Sequence, residues 1–377
     1  NLLKYSLEQL IHRRISRRDA LKGLAFLTAG AILPSAFFKN EFTRAEPRTF
    51  AAGTNELFFN PIAPSDADAL ILPEGFDYTV IREWGDNITD SEVFGFNNDF
   101  VAYLSIDYLS GGNDSTDGIL VVNNEYPDPL FVSGYSPDDY RAKKPKTKEQ
   151  IQAEKKSVGI SVFRIKKQNG KWEFVNDGKY NNRIDANTTM QLSGAAAGTP
   201  EMQSSFTAIG TLNNCSGGIT PWGTMLSGEE NYQDHLSDGA YRWTGFGQDL
   251  IPEQYGCVVE VDPFDKTKPA KKRTSLGRFH HENVSVSITK DGRVAAYMGD
   301  DKVNECVYKF ISSGKYDPDN REANFDILDE GDLYVADFEN NKWQLLDYDR
   351  RDELKKDFTS QADVLINCDR SSKLVGG

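Results

Sequence analysis

Gly118-Ile119-Leu120-Val121-Val122-Asn123-Asn124-Glu125 begins on glycine, runs through apolar residues and ends on a carboxylate. Three later stretches repeat this outline: Gly223-Thr224-Met225-Leu226-Ser227-Gly228-Glu229-Glu230, Gly292-Arg293-Val294-Ala295-Ala296-Tyr297-Met298-Gly299-Asp300-Asp301, and Gly331-Asp332-Leu333-Tyr334-Val335-Ala336-Asp337. The apolar runs have the length of strands, and glycine marks the turn before each. Four strands therefore carry acids at the same end. Their spacing is uneven, but the last interval is close to the roughly 40 to 50 residues of a propeller blade. In a propeller the innermost strand of each blade faces the axis, so matching strand ends meet there. Acids that follow strands only because turns are polar give the same outline, and the pattern alone does not choose between the two.

Outward from these stretches the signal remains that of an all-β chain. Further short apolar runs lie at Val158 to Ile165, Val258 to Val261 and Val307 to Phe310. Asn169-Gly170, Asp291-Gly292 and Asn340-Asn341 separate pairs of runs and predict hairpins, because Asn, Asp and Gly tolerate the positive φ of tight turns. Helical pattern is confined to Lys146 to Lys156, a charged stretch without a clear apolar face, expected to pass over the surface. The polar, Gly- and Ala-rich Asp177 to Ser205 reads as a structured loop.

The N-terminus stands apart. Arg17-Arg18 precedes the interrupted apolar segment Gly23 to Phe38, the outline of a twin-arginine export signal and too short for a confident membrane span. Residues 1–46 are read as this signal, and 47–377 as one domain with a charged insertion near 133–157. The mature protein is then expected outside the cytoplasm, in the periplasm or beyond, without a stable membrane span. Cys215, Cys257, Cys306 and Cys368 would allow two disulfides there, in any of three connectivities. The 377 residues carry 57 acidic and 43 basic side chains, a net charge of −14, with basic residues interleaved among acids. That balance disfavours nucleic acid, which needs clustered Lys and Arg, and favours cations. Only four histidines occur and no cysteine pair has CxxC spacing, so a histidine-rich zinc site is not expected.

If the strand-end acids converge, they must bind metal or shift their pKa values upward, because they cannot all stay ionised in a low-dielectric mouth. Clustered carboxylate oxygens suit calcium, and a thiolate among them suits a transition metal such as iron.

Ordered motifs along nearly the whole chain resemble the exported PhoX-type alkaline phosphatases. Leu72-Pro73-Glu74-Gly75-Phe76-Asp77-Tyr78, Trp84-Gly85-Asp86 and Phe94-Gly95-Phe96-Asn97-Asn98-Asp99-Phe100 are similar to the family's opening segments. Asn123-Asn124-Glu125-Tyr126 looks like its Asn-His-Glu-Tyr, with Asn124 in the histidine position. Asn213-Asn214-Cys215-Ser216-Gly217-Gly218-Ile219-Thr220-Pro221-Trp222-Gly223-Thr224, continuing to Gly228-Glu229-Glu230-Asn231-Tyr232, is the most specific match. Val259-Glu260-Val261-Asp262-Pro263-Phe264-Asp265, Leu276-Gly277-Arg278-Phe279-His280-His281-Glu282 and Tyr297-Met298-Gly299-Asp300-Asp301 follow in order.

This resemblance implies a six-bladed β-propeller with iron (Fe3+) and calcium (Ca2+) near its axis, hydrolysing small phosphomonoesters by a metal-held oxide or hydroxide. It implies an iron ligand at Cys215 and a metal ligand at Glu282, both tied to catalysis. Glu125, Glu229, Glu230, Asp300, Asp301 and Asp99 become candidate oxygen ligands, and His281 a candidate phosphate contact. Asn97, Asn98 and Asp99 also fit an Asx turn, and a free cysteine is also a common small core residue. The family's later Arg-Pro-Glu-Asp segment does not occur before Gly377, so these residues alone are expected to form an incomplete propeller with little activity. A calcium-stabilised binding module, or a calcium-dependent hydrolase of another ester, remains open, since a fold does not fix a function.

Overall fold

A computed structural model of the protein describes residues 59–236, 243 and 250–377. The twin-arginine segment and the rest of residues 1–46 lie outside the described residues. Residues 59–78 belong to a separate unit and carry no regular strand or helix, while Thr79–Gly377 forms one compact unit built mostly of β-structure.

Among the described residues, three sheets are formed in that unit. The first holds β1 (Asn98–Ser105), β2 (Asp117–Asn124), β3 (Gly159–Gln168) and β4 (Lys171–Val175) as an antiparallel meander, with β5 (Asn182–Ile184) also paired to β3. Ile119 and Val121 of β2 face one core cluster, with Ala102, Leu104, Ile160 and Val162. Val122 and Leu120 face another, with Phe94, Phe163 and Ile165. Both faces of this sheet are covered, which is why β2 reads as a continuous apolar run rather than an alternating one.

The second sheet contains β6 (Thr189–Ser193), β7 (Thr207–Ile209), β8 (Asn214–Ile219), β9 (Met225–Glu229), β10 (Val258–Val261) and β11 (Lys271–Arg273), in the order β7-β6-β11-β10-β9-β8. Here β8 to β11 form an antiparallel meander, and β6 joins β11 in parallel. The third sheet is the meander β12 (Ser285–Ile288), β13 (Arg293–Gly299), β14 (Val307–Lys315), β15 (Gly331–Asp337) and β16 (Lys342–Leu345). Val294, Ala296 and Met298 of β13 meet Leu333 and Val335 of β15 in its core.

All three expected hairpins are present. Asn169 and Gly170 take φ of 50° and 82° between β3 and β4, Gly292 takes 89° before β13, and Asn341 takes 55° before β16. Two expectations are corrected. Asp177 to Ser205 is not wholly loop, since it supplies β5 and β6; these are three- and five-residue strands whose period is too short to read. Nor is the charged helix Lys148–Ser157 a surface excursion: Ile151, Glu154 and Lys155 are buried. Glu154 accepts from Lys146 Nζ (2.6 Å), Ser133 Oγ (2.7 Å) and Trp243 Nε1 (2.7 Å). A buried charge is tolerated when paired and fully hydrogen-bonded, so charge alone did not mark this helix as exposed. Two further short helices, Gln361–Ile366 and Cys368–Leu374, pack Val364, Leu365 and Cys368 into the core of the third sheet. All four cysteines are free and buried, which removes the expected disulfides.

Candidate metal centre

β8 decides where the site lies, because it packs against β1 and β2 of the first sheet and β12 of the third. Gly217 and Gly218 make this possible. A Cβ on Gly217 would stand 2.0 Å from the carbonyl oxygen of Leu226, and one on Gly218 would stand 2.0 Å from that of Val284. Just before these glycines the pairing of β8 with β9 is irregular between Asn214 and Gly217, a bulge that contains Cys215. The pairing of β1 with β2 is likewise irregular between Asn98 and Val101, a bulge that contains Asp99. Bulges re-aim side chains out of the regular alternation, and here both aim donors at one point.

There Cys215 Sγ lies 3.6 Å from Asp99 Oδ2 and 3.5 Å from Glu282 Oε2. One donor atom each from Asp99, Glu125 and Cys215, and one each from Cys215, Glu230 and Glu282, fall within 4.8 Å of one another. The backbone fixes these residues from three sides. The Glu125 N–H donates to Asn97 O (2.9 Å), Glu230 N–H to Asn213 O (3.0 Å), Ser216 N–H to Glu282 O (3.0 Å) and Glu282 N–H to Gly299 O (3.2 Å). Beneath them Asn123 Nδ2 donates to Cys215 O (2.7 Å), and Ser227 Oγ donates to Asn123 Oδ1 (3.0 Å). Asn124, in the family's histidine position, is committed to Asn98 Oδ1 (2.9 Å) and Ser161 Oγ (2.7 Å).

Electrostatics make the cluster costly without a counter-ion. Burial, then the charges of Asp99 and Glu230, push the Glu125 carboxyl up to about 8. Burial and Glu282 raise Glu230, and burial raises Glu282. The Cys215 thiol is pushed far up, by burial first and then by Glu125, Asp99, Glu282 and Glu230. Each group disfavours ionisation of the others, and a cation among them would reverse that sign. Thiolate plus several carboxylates is a donor set that fits metal ions.

Not every expected ligand joins the cluster. Adjacent residues at a strand end face opposite ways, and the structure splits both acidic pairs. Glu229 is fully buried on the far side, accepting from Lys272 Nζ (2.8 Å), Thr211 Oγ1 (2.9 Å) and the N–H groups of Leu212, Gly256 and Cys257. Its oxygens are already satisfied, so it anchors the strand that presents Glu230. Asp301 is close enough for its charge to raise Glu230 and Glu282, whereas Asp300 turns inward, 3.5 Å from His280 Nδ1. His281 is fully buried, with its ring on Phe279 (centroids 3.7 Å) and Nε2 3.1 Å from Gly277 O. Burial lowers it to about 4, so it packs as a neutral ring and does not face the cluster. Asp337, at the end of the fourth strand, caps its own turn through Asn340 and Gln344. Tyr126 and Asn231 were not singled out by sequence. Asn231 hydrogen-bonds the side chains of both Tyr126 and Glu230, and the phenol is pushed up by burial and by Glu125. Their only sequence signal was position, one residue beyond Glu125 and Glu230.

A family model described as alkaline phosphatase PhoX matches residues 57–377. The chain belongs to the PhoX family. A solved structure, Pseudomonas fluorescens PhoX in complex with vanadate, a transition state analogue, is similar at 30% identity with a TM-score of 0.73. The match covers 85% of this chain and 63% of the Pseudomonas PhoX chain, so this chain spans less than two thirds of that relative's length. No curated protein matches the chain. Among the described residues no helix is long and apolar enough to cross a membrane.

Proposed function

We propose that the protein is an exported metal-dependent phosphomonoesterase whose centre is built on Cys215, Glu282, Glu125, Glu230 and Asp99, with iron on the thiolate and calcium on the carboxylates. The observation that carries this reading is the meeting of two donor sets that share Cys215, one with Asp99 and Glu125 and one with Glu230 and Glu282, drawn from β1, β8, the ends of β2 and β9 and the segment before β12, in a chain of the PhoX family. When bound, such cations supply Lewis acidity to the phosphoryl oxygens and to the attacking oxygen. The protein's own part is positional. Asp99 and Cys215 are set by their bulges, Glu125 and Glu230 by strand ends, and Glu282 by its backbone bonds to Ser216 and Gly299. Asp301, a neighbouring carboxylate, is an outer oxygen ligand, and Asn231 steers Glu230 and Tyr126.

The three antiparallel meanders support reading the sheets as blades of the family's six-bladed propeller, with the strand ends at its axis. On this reading 47–377 is one propeller domain, and the charged segment near 133–157 is an insertion between β2 and β3 whose longest helix is packed into the domain. Arg17-Arg18 supports passage by the twin-arginine machinery to a bacterial periplasm or beyond. Substrates are small phosphomonoesters.

Hydrolysis of p-nitrophenyl phosphate by the full-length, folded protein tests the reading. Turnover is expected to vanish with a calcium chelator and return with calcium. Cys215→Ala is expected to remove bound iron and lower kcat at least a hundredfold, checked by elemental analysis alongside rates. A folded, metal-loaded protein without turnover would leave a binding module in place of an enzyme.

A further inference from the structure

Beside the metal centre lies a cavity of about 370 Å³ lined by Asn231, Tyr232, Gln233, Arg278, His280 and Lys302. It shares walls with the centre. Asn231 reaches the Glu230 carboxylate, and the N–H of Asp301 donates to His280 O (3.1 Å). Among the described residues no carboxylate belongs to its lining, in a chain of net charge −14.

Neither of its two cations makes an ion pair among the described residues. Arg278 is held by carbonyl oxygens of Tyr255 (2.8 Å), Pro252 (3.1 Å) and Ile366 (3.5 Å), with its guanidinium 4.8 Å from the Tyr232 ring. Carbonyls fix its position without removing its charge. Exposed Lys302 donates its backbone N–H to Asp300 Oδ1 (3.1 Å), accepts at its carbonyl from the Glu305 N–H (3.1 Å), and makes no ion pair among the described residues. Several other cations are matched to acids, as Lys272 to Glu229, Arg273 to Glu260 and Asp329, and Arg321 to Asp262, whereas buried Arg183 is held by carbonyl oxygens as Arg278 is. His280 completes the wall, with Nε2 3.1 Å from Gln233 Oε1 and Nδ1 facing Asp300. One guanidinium held by carbonyls and one exposed ammonium around a cavity of this size make a place for an oxyanion, and the volume is that of small-ligand sites.

We propose that this cavity is a subsite for an anionic group on the alcohol portion of the substrate, a carboxylate or a second phosphate. The proposal rests on the phosphomonoesterase reading: the ester's phosphoryl group occupies the metal centre, and its far end reaches Arg278 and Lys302. The preferred substrates are therefore phosphomonoesters that carry a second negative charge.

Two esters with alike cleaved groups, glycerol 3-phosphate with a neutral far end and 3-phosphoglycerate with an anionic one, make the test in the full-length, metal-loaded protein. Lys302→Ala is expected to lower kcat/KM for 3-phosphoglycerate about tenfold, the worth of one charge-assisted hydrogen bond, and to leave glycerol 3-phosphate within about twofold. Lys302→Arg is expected to retain the preference. Equal effects on both esters, or none, overturn the subsite. If neither ester is hydrolysed, the enzymatic reading fails, and 3-phosphoglycerate becomes a stable ligand for calorimetry with the same protein. Binding about tenfold weaker in Lys302→Ala then supports the subsite, and no binding or no difference overturns it.

Discussion

Glu125 shows how one residue records what the centre lacks when it is free of metal. Its folded-state value near 8 stands above that of an unfolded carboxyl, so the folded protein keeps a proton that the unfolded chain releases. The stabilisation this proton gives is complete below the unfolded value of about 4.5 and is lost as pH rises through 8. Melting of metal-free protein between pH 5 and 8.5 is expected to show Tm falling with pH. Glu125→Gln, which cannot ionise, is expected to flatten that fall, and a Tm as steep as wild type would contradict the assignment. Legibility at this scale followed local context. Cys215 and Glu282 stood out through their neighbours in the motifs. Choosing Glu230 over Glu229, or Asp301 over Asp300, needed the face of each strand, and an acidic pair at a strand end does not state which member turns inward.

At the scale of elements, β8 is the strand that cannot change its outline. Gly218→Ala would place a methyl group against the Val284 carbonyl, a backbone atom that cannot rotate away. A loss of about 3 kcal/mol in urea-unfolding stability is expected, at the upper end of overpacking costs. An unchanged midpoint would mean that β12 has room to retreat. The hairpins and the longer strands were readable because Asn-Gly and Asp-Gly turns and four- to eight-residue apolar runs are local signals. The helix Lys148–Ser157 was misread because its burial depends on distant partners. Trp243 and Ser133 satisfy Glu154, and no window of sequence contains all three. The short helices Gln361–Ile366 and Cys368–Leu374 escaped for a different reason, since six or seven residues hold too few turns to show a period.

On the scale of the whole molecule, the sheets share apolar cores, Leu226 and Val258 of the second packing with the third and Met225 and Val259 with the first, but the acids that meet at the centre repel one another until a cation joins them. Stripping the full-length protein with a chelator is therefore expected to lower its Tm by ten degrees or more and to speed cleavage by an added protease. Restored cation should reverse both, and a chelated protein as stable as the loaded one would show that the sheets need no tie. Between Asp99 and Glu282 lie about 180 residues, and closing a loop that long is only slightly harder than closing a short one. An ion that joins these two ends acts on the chain as a removable cross-link, set at a point where the protein alone is self-repelling. Folding and loading then become one event, and the amount of intact protein in a cell becomes a gauge of its cation supply.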